Sequence, residues 1–186
     1  MSKFDMRGAI TKNRKWLVVA LIVIIVTCII VILWIPPTQN KMEKIFGRDK
    51  TELTVVCEYL LLIDCDATIV YDGTDCYVEK YKPNPSTNKL DIVKEKVENE
   101  VVRDAIEKLF SRRGYDEIYK GEHTVIFRKW HRGPDWWGGI AYKINKENQL
   151  EIGYVTEFAP LSDDGWYYYE SDFNKWREMS QKACFK

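Results

Sequence analysis

Twenty consecutive residues without a charge, proline or glycine, "WLVVALIVIIVTCIIVILWI" from Trp16 to Ile35, constrain this chain more than any other feature. As a helix the run extends about 30 Å, the thickness of a bilayer's hydrocarbon core. Trp16 and Trp34 stand near its ends, where indole rings favour the headgroup level, and Pro36 and Pro37 stop a helix as it leaves the membrane. The run exceeds the roughly 7–15 residues of a signal-peptide core, and no A-x-A-like cleavage site follows. It reads as an uncleaved signal anchor, a single-pass transmembrane helix at residues 16–35. Cys28 follows Thr27 with seven apolar residues after it, the setting of a lipid-facing or packing side chain rather than an acylated one.

Charge beside the span sets the expected orientation. Lys12, Arg14 and Lys15 abut its N-terminal end, whereas "PPTQN" separates the other end from Lys41. Residues 1–15 then form a basic cytoplasmic tail, residues 36–49 a juxtamembrane linker and residues 50–186 an extracytoplasmic domain at the cell membrane. The whole chain has 28 basic and 28 acidic residues; residues 1–35 carry five of the former and one of the latter, leaving 23 against 27. A mildly acidic domain without a basic stripe argues against a nucleic-acid partner. Its cysteines, Cys57, Cys65, Cys76 and Cys184, have no zinc-knuckle spacing and read either as buried free thiols or as including one disulfide.

An offset of 49 residues lays Leu53–Tyr81 over Val102–Trp130 without a gap. Leu53 meets Val102, Val56 meets Ala105, Cys57 meets Ile106 and Leu60 meets Leu109, the spacing of one helical face. Ile69 then meets Ile118, and Val78 meets Phe127. Each unit reads as helix, strand, turn, strand, giving pseudo-repeats at 53–81 and 102–130. Asp49 with Glu52 is a plausible capping pair for the first helix, and "YDGTD" carries an Asp-Gly turn. The second helix is expected from near Asp91, with "KPNPSTNK" (Lys82–Lys89) as the linker before it and Gly114 as its end. Strands are expected at Gly139–Asn145 and Leu150–Phe158, and a short terminal helix from about Ser171. The expected fold is α+β, an antiparallel sheet backed by helices.

Catalytic motifs are absent: there is no G-x-S-x-G elbow, H-E-x-x-H or phosphate loop. Asp64, Asp66, Asp72 and Asp75 could attract calcium, but Ile69 stands where a calcium loop needs glycine, so they read as helix-end and turn aspartates. No metal or cofactor is implied, and the chain does not read as an enzyme. Aromatic residues crowd the distal half instead. "HRGPDWWGG" (His131–Gly139) follows Trp130, and "GWYYYESDFNKW" adds Trp166 and Tyr168. Flat rings with polar edges suit partner proteins or sugars. The binding candidates are Trp130, His131, Arg132, Trp137, Trp166 and Tyr168. Trp136 and Trp137 point to opposite faces of a strand, so one is expected in the core and the other free for contact.

A short N-terminal anchor followed by helix-hairpin units over residues 50–130 resembles small surface proteins of Gram-positive bacteria and, loosely, PepSY-type helix-hairpin modules. The expected role is an interaction module that binds another envelope protein. The alternatives are a cell-wall or glycan-binding domain stacking sugars on Trp130, Trp137 and Trp166, and a hydrolase using His131 and Asp135.

Overall fold

The computed structural model describes residues 16–28, 37–87, 89–131, 133, 135–145, 152–162 and 164–184. The chain divides into two units, Met1–Pro37 and Thr38–Lys186. In the first, residues 16–28 form helix α1 with exposed side chains. Thr27 donates its hydroxyl to the Val23 carbonyl at 2.8 Å, satisfying that polar group within its own helix. Among the described residues, no helix is long and apolar enough to cross a membrane. At about 1.5 Å per residue α1 extends about 20 Å, and residues 29–35 of the expected span lie outside the described residues.

The second unit is an eight-stranded antiparallel sheet with helices. Its elements are α2 (Gln39–Leu61), β1 (Asp66–Tyr71), β2 (Cys76–Asn84), β3 (Lys89–Lys96), α3 (Glu100–Glu107), a π-helical turn (Lys108–Arg112), β4 (Glu117–Lys120), β5 (Thr124–His131), β6 (Trp136–Lys143), β7 (Val155–Pro160), β8 (Trp166–Asp172) and α4 (Phe173–Cys184). The spatial order is β3-β2-β1-β4-β5-β6-β8-β7. This is the α+β class expected, with two strands more than the sequence reading placed.

Helices α2 and α3 cover one sheet face. Met42, Phe46, Leu53, Val56 and Leu60 of α2 repeat at helical spacing and are fully or nearly buried, against Ile69, Val78, Ile118 and Phe127 of the sheet. Each such side chain contributes roughly 1.5–3 kcal/mol by leaving water. A smaller cluster of Ala141, Ile152 and Tyr169 fills the opposite face of the second half.

The hairpins obey one register. Ile69 faces Val78 in β1–β2, and 49 residues on Ile118 faces Phe127 in β4–β5. The third strands break the pattern: Tyr77 faces Lys96, but Ile126 faces Ala141, four residues short of the equivalent position. The two edges of the sheet also differ. β7 is bulged between Val155 and Glu157, ends in Pro160 and has α4 beside it, whereas β3 pairs with β2 over eight residues without a bulge.

Several boundaries differ from those expected. Residues 39–49 belong to α2 and not to a linker; Thr38 is the N-cap of that helix, though its side chain makes no capping hydrogen bond. Lys89–Lys96 is a strand and not helix; α3 starts at Glu100, where the Asn99 carboxamide oxygen accepts from the N–H groups of Val101 (3.0 Å) and Val102 (3.2 Å). "KPNPSTNK" holds the end of β2, a turn and the start of β3. β7 begins at Val155, because Gly153 and Tyr154 form a turn in which Tyr154 has φ of 58°. The aromatic run at Trp166 is strand β8, its side chains alternating between the two cores.

Candidate functional site

The aromatic loop resolves largely into packing. β5 and β6 approach so closely beyond the bulge at Arg128/Trp130 that a Cβ on Gly138 would stand 2.4 Å from the Trp130 ring, and one on Gly139 would stand 2.1 Å from the Phe127 carbonyl oxygen. Trp130 therefore lies across Gly138, meeting Trp136 edge-on with ring centroids 5.7 Å apart. Trp136 donates its indole N–H to Glu170 at 3.1 Å, and the Tyr168 hydroxyl meets the other oxygen of that buried carboxylate at 3.2 Å. Trp166 and Tyr168, two sequence candidates, are buried beneath the helices, with Trp166 packed on Phe46, Phe127 and Tyr142. They are core residues and not a binding surface. Trp137 points to the opposite face and packs on the Ala141–Tyr169 cluster. Arg132 lies outside the described residues. The described candidates are thus split between two faces and make no shared stacking platform.

His131 stands opposite Trp137. Its Nδ1 lies 2.5 Å from Asp116, whose other oxygen accepts from Arg128 Nε at 2.7 Å; Arg128 also reaches Glu117 at 2.6 Å. Asp116, not Asp135, orients the imidazole and leaves Nε2 directed away from the carboxylate. The network is half-exposed, where ion pairs contribute little to stability.

A second polar cluster was not anticipated. Asp49, expected as a helix cap, is wholly buried within α2. Arg48 grips it through both oxygens at 2.6 and 2.8 Å, Arg113 approaches to 3.3 Å, and Tyr115 donates its hydroxyl at 3.2 Å. Lys129 lies 4.2 Å from the Tyr115 ring centroid and donates to the Arg113 carbonyl. Burial pushes the Lys129 ammonium down to about 8, with Asp49 opposing and Arg48 and Arg113 adding to the shift. The cluster ties α2 to β5 and to the turn before β4; a carboxylate buried this deeply is tolerable because every partner is a donor.

Cys57, Cys65 and Cys76 are free thiols. Burial raises Cys57 to about 12 and Cys76 to about 11. The Asp72 carboxylate accepts from the Thr74 and Asp75 N–H groups, which lowers its pKa and closes the β1–β2 turn. Among the described residues no group of three His, Cys, Asp or Glu is arranged to hold a metal ion.

The most exposed apolar feature of the second unit's sheet is β3. Every residue of it is exposed, including Leu90 (63%), Ile92 (61%) and Val93 (40%). It continues into a groove of about 480 Å³ lined by Leu61, Ile63, Tyr81, Pro83, Leu90 and Ile144, with Asp64, Lys120 and Glu122 on its walls. Sequence reasoning missed this surface by assigning residues 91–97 to a helix; the alternation of Leu90 and Ile92 with Lys89 and Asp91 was the available signal.

No known protein family, curated protein or solved structure matches this chain.

Proposed function

We propose that the chain is a single-pass, signal-anchored membrane protein with a cytoplasmic N-terminus, whose extracytoplasmic domain is an interaction module for a protein of the cell envelope. The span rests on the uncharged run Trp16–Ile35, and the orientation on the basic residues before it. In this reading residues 53–81 and 102–130 are two copies of one helix-hairpin module, supported by their equal hairpin registers.

The observation that carries the binding role is the open β3 edge. A regular eight-residue edge strand offers a row of backbone donors and acceptors, and proteins ordinarily blunt such edges. This fold bulges β7 and ends it in Pro160, whereas β3 runs eight residues with neither bulge nor proline; Lys89, Lys94 and Lys96 put charge along it, yet Leu90, Ile92 and Val93 stand in water. Adding a strand there would satisfy the backbone and cover Leu90, Ile92 and Val93.

Two measurements test the reading. Alkaline carbonate should leave the full-length protein in the membrane pellet; release into the supernatant would remove the anchor. A photo-crosslinking residue at Val93 in intact cells should yield protein adducts that the same residue at exposed Lys44 does not. Equal yields at both positions would remove the binding role.

A further inference from the structure

The β3 edge carries enough detail to name its occupant. Val97 donates its N–H to the Cys76 carbonyl at 2.9 Å, which makes that pair a hydrogen-bonded one. Pairs alternate along an antiparallel hairpin, so Val78–Glu95, Lys80–Val93 and Lys82–Asp91 are hydrogen-bonded as well. The residues between them, Leu90, Ile92, Lys94 and Lys96, therefore turn their N–H and C=O groups out to the open edge.

Charge selects among the ways two such edges could meet. An axis at Asp91 sets two aspartates against each other, and an axis at Val93 sets Asp91 against Glu95. An axis at Ile92 opposes no like charges between positions 89 and 95: Ile92 meets Ile92, Leu90 meets Lys94, Asp91 meets Val93 and Lys89 meets Glu95. It also places outward-facing residues opposite outward-facing residues, so Leu90, Ile92 and Lys94 each exchange both backbone hydrogen bonds with their counterparts. The chain already uses this geometry internally, where Ile69 faces Ile118 across β1–β4.

We propose that the occupant of the β3 edge is a second copy of this chain, paired antiparallel with Ile92 of each copy opposite the partner's Ile92, so that two eight-stranded sheets become one. The inference rests on the interaction-module reading and specifies its partner. Anchoring in one membrane would favour the contact by raising the effective concentration of the edges.

The test is single-cysteine crosslinking of the full-length protein in native membranes, in a Cys28→Ser, Cys65→Ser, Cys184→Ser background that keeps the buried Cys57 and Cys76. Opposed hydrogen-bonded residues lie about 5.5 Å apart at Cα, within disulfide reach. Ile92→Cys should oxidise to a homodimer. Leu90→Cys alone should not, but Leu90→Cys co-expressed with Lys94→Cys should. Ile92→Lys opposes two ammonium groups on the axis and should lower the dimer fraction of the detergent-solubilised protein about tenfold with the circular dichroism spectrum unchanged. Absence of a homodimer from every single cysteine on β3 would overturn the inference. If Val93 photo-adducts then contained only other proteins, the module reading would stand without it; if the Val93 adducts also failed, both would fall.

Discussion

Ile69 and Ile118 stand directly opposite each other across the β1–β4 seam, and they are also the residues that a 49-residue offset superimposes. The hairpins β1–β2 and β4–β5 therefore lie on either side of that pair. Both side chains are buried in the same core. Ile69→Ala and Ile118→Ala should each cost about 2–4 kcal/mol in urea unfolding. The double variant should depart from the sum of the two, because residues that share a cavity couple. Strict additivity would show that the two units are cored independently.

Gly138 and Gly139 give a steric prediction with an internal control. Gly139→Ala drives a Cβ into the Phe127 backbone and should cost about 3 kcal/mol, the upper end of ordinary overpacking. Gly138→Ala meets the Trp130 ring and the Tyr169 carbonyl at 2.4 and 2.7 Å and should cost nearly as much. Gly153 has nothing within 4 Å of its virtual Cβ, so Gly153→Ala should leave the melting temperature unchanged.

Lys129 should leave a signature in the pH dependence of stability. Its folded value is lowered from 10.5 to about 8. Below pH 8 the amine is charged in both states and its burial penalty is fully present. Between pH 8 and 10.5 the unfolded chain binds more protons than the folded one, so this group makes stability rise with pH. The raised thiols Cys57 and Cys76 and the buried hydroxyls of Tyr115 and Tyr169 act in the opposite sense at the alkaline end. The diagnostic quantity is accordingly the difference between wild type and Lys129→Met. Any advantage of the methionine variant should shrink across pH 8–10.5, and a difference independent of pH would contradict the assignment.

Thiol labelling should follow burial. Cys57 and Cys76 are buried and held protonated, so a maleimide at neutral pH should modify half-buried Cys65 well before either. Peptide mass spectrometry of partly labelled native protein should show Cys57 and Cys76 unmodified until denaturant is added; early labelling of Cys57 would mean that α2 opens locally.

What could be read from sequence was what repeats or alternates. The α+β class, the stripe Leu53, Val56, Leu60 and the hairpins around Gly73 and Lys120 carry periodicity and turn chemistry that local physics imposes. The strand period of two likewise puts Trp136 and Trp137 on opposite faces, as they are in β6. The misreadings have physical causes. Lys89–Lys96 mixes charges with Val93 in a pattern that also fits a helix; the alternation at Leu90 and Ile92 favours strand, and pairing with β2 decides it. Asp49 has a capping residue's identity, yet its partners Arg113 and Tyr115 lie more than sixty residues away. The run around Trp166 and Tyr168 suggests a binding surface because an aromatic run has the same composition in a core as on a surface; the rings that pack on Trp166 come from α2, β5 and β6.

The bulge at Val155/Glu157 and the terminal Pro160 bear on how many molecules can join. An association that uses one edge and its own twofold axis consumes that edge in both participants. With β7 kinked and ending in a residue that lacks an N–H donor, neither participant has, among the described strands, a second regular edge to offer. Growth by edge addition would stop at two, a closed pair and not a fibre.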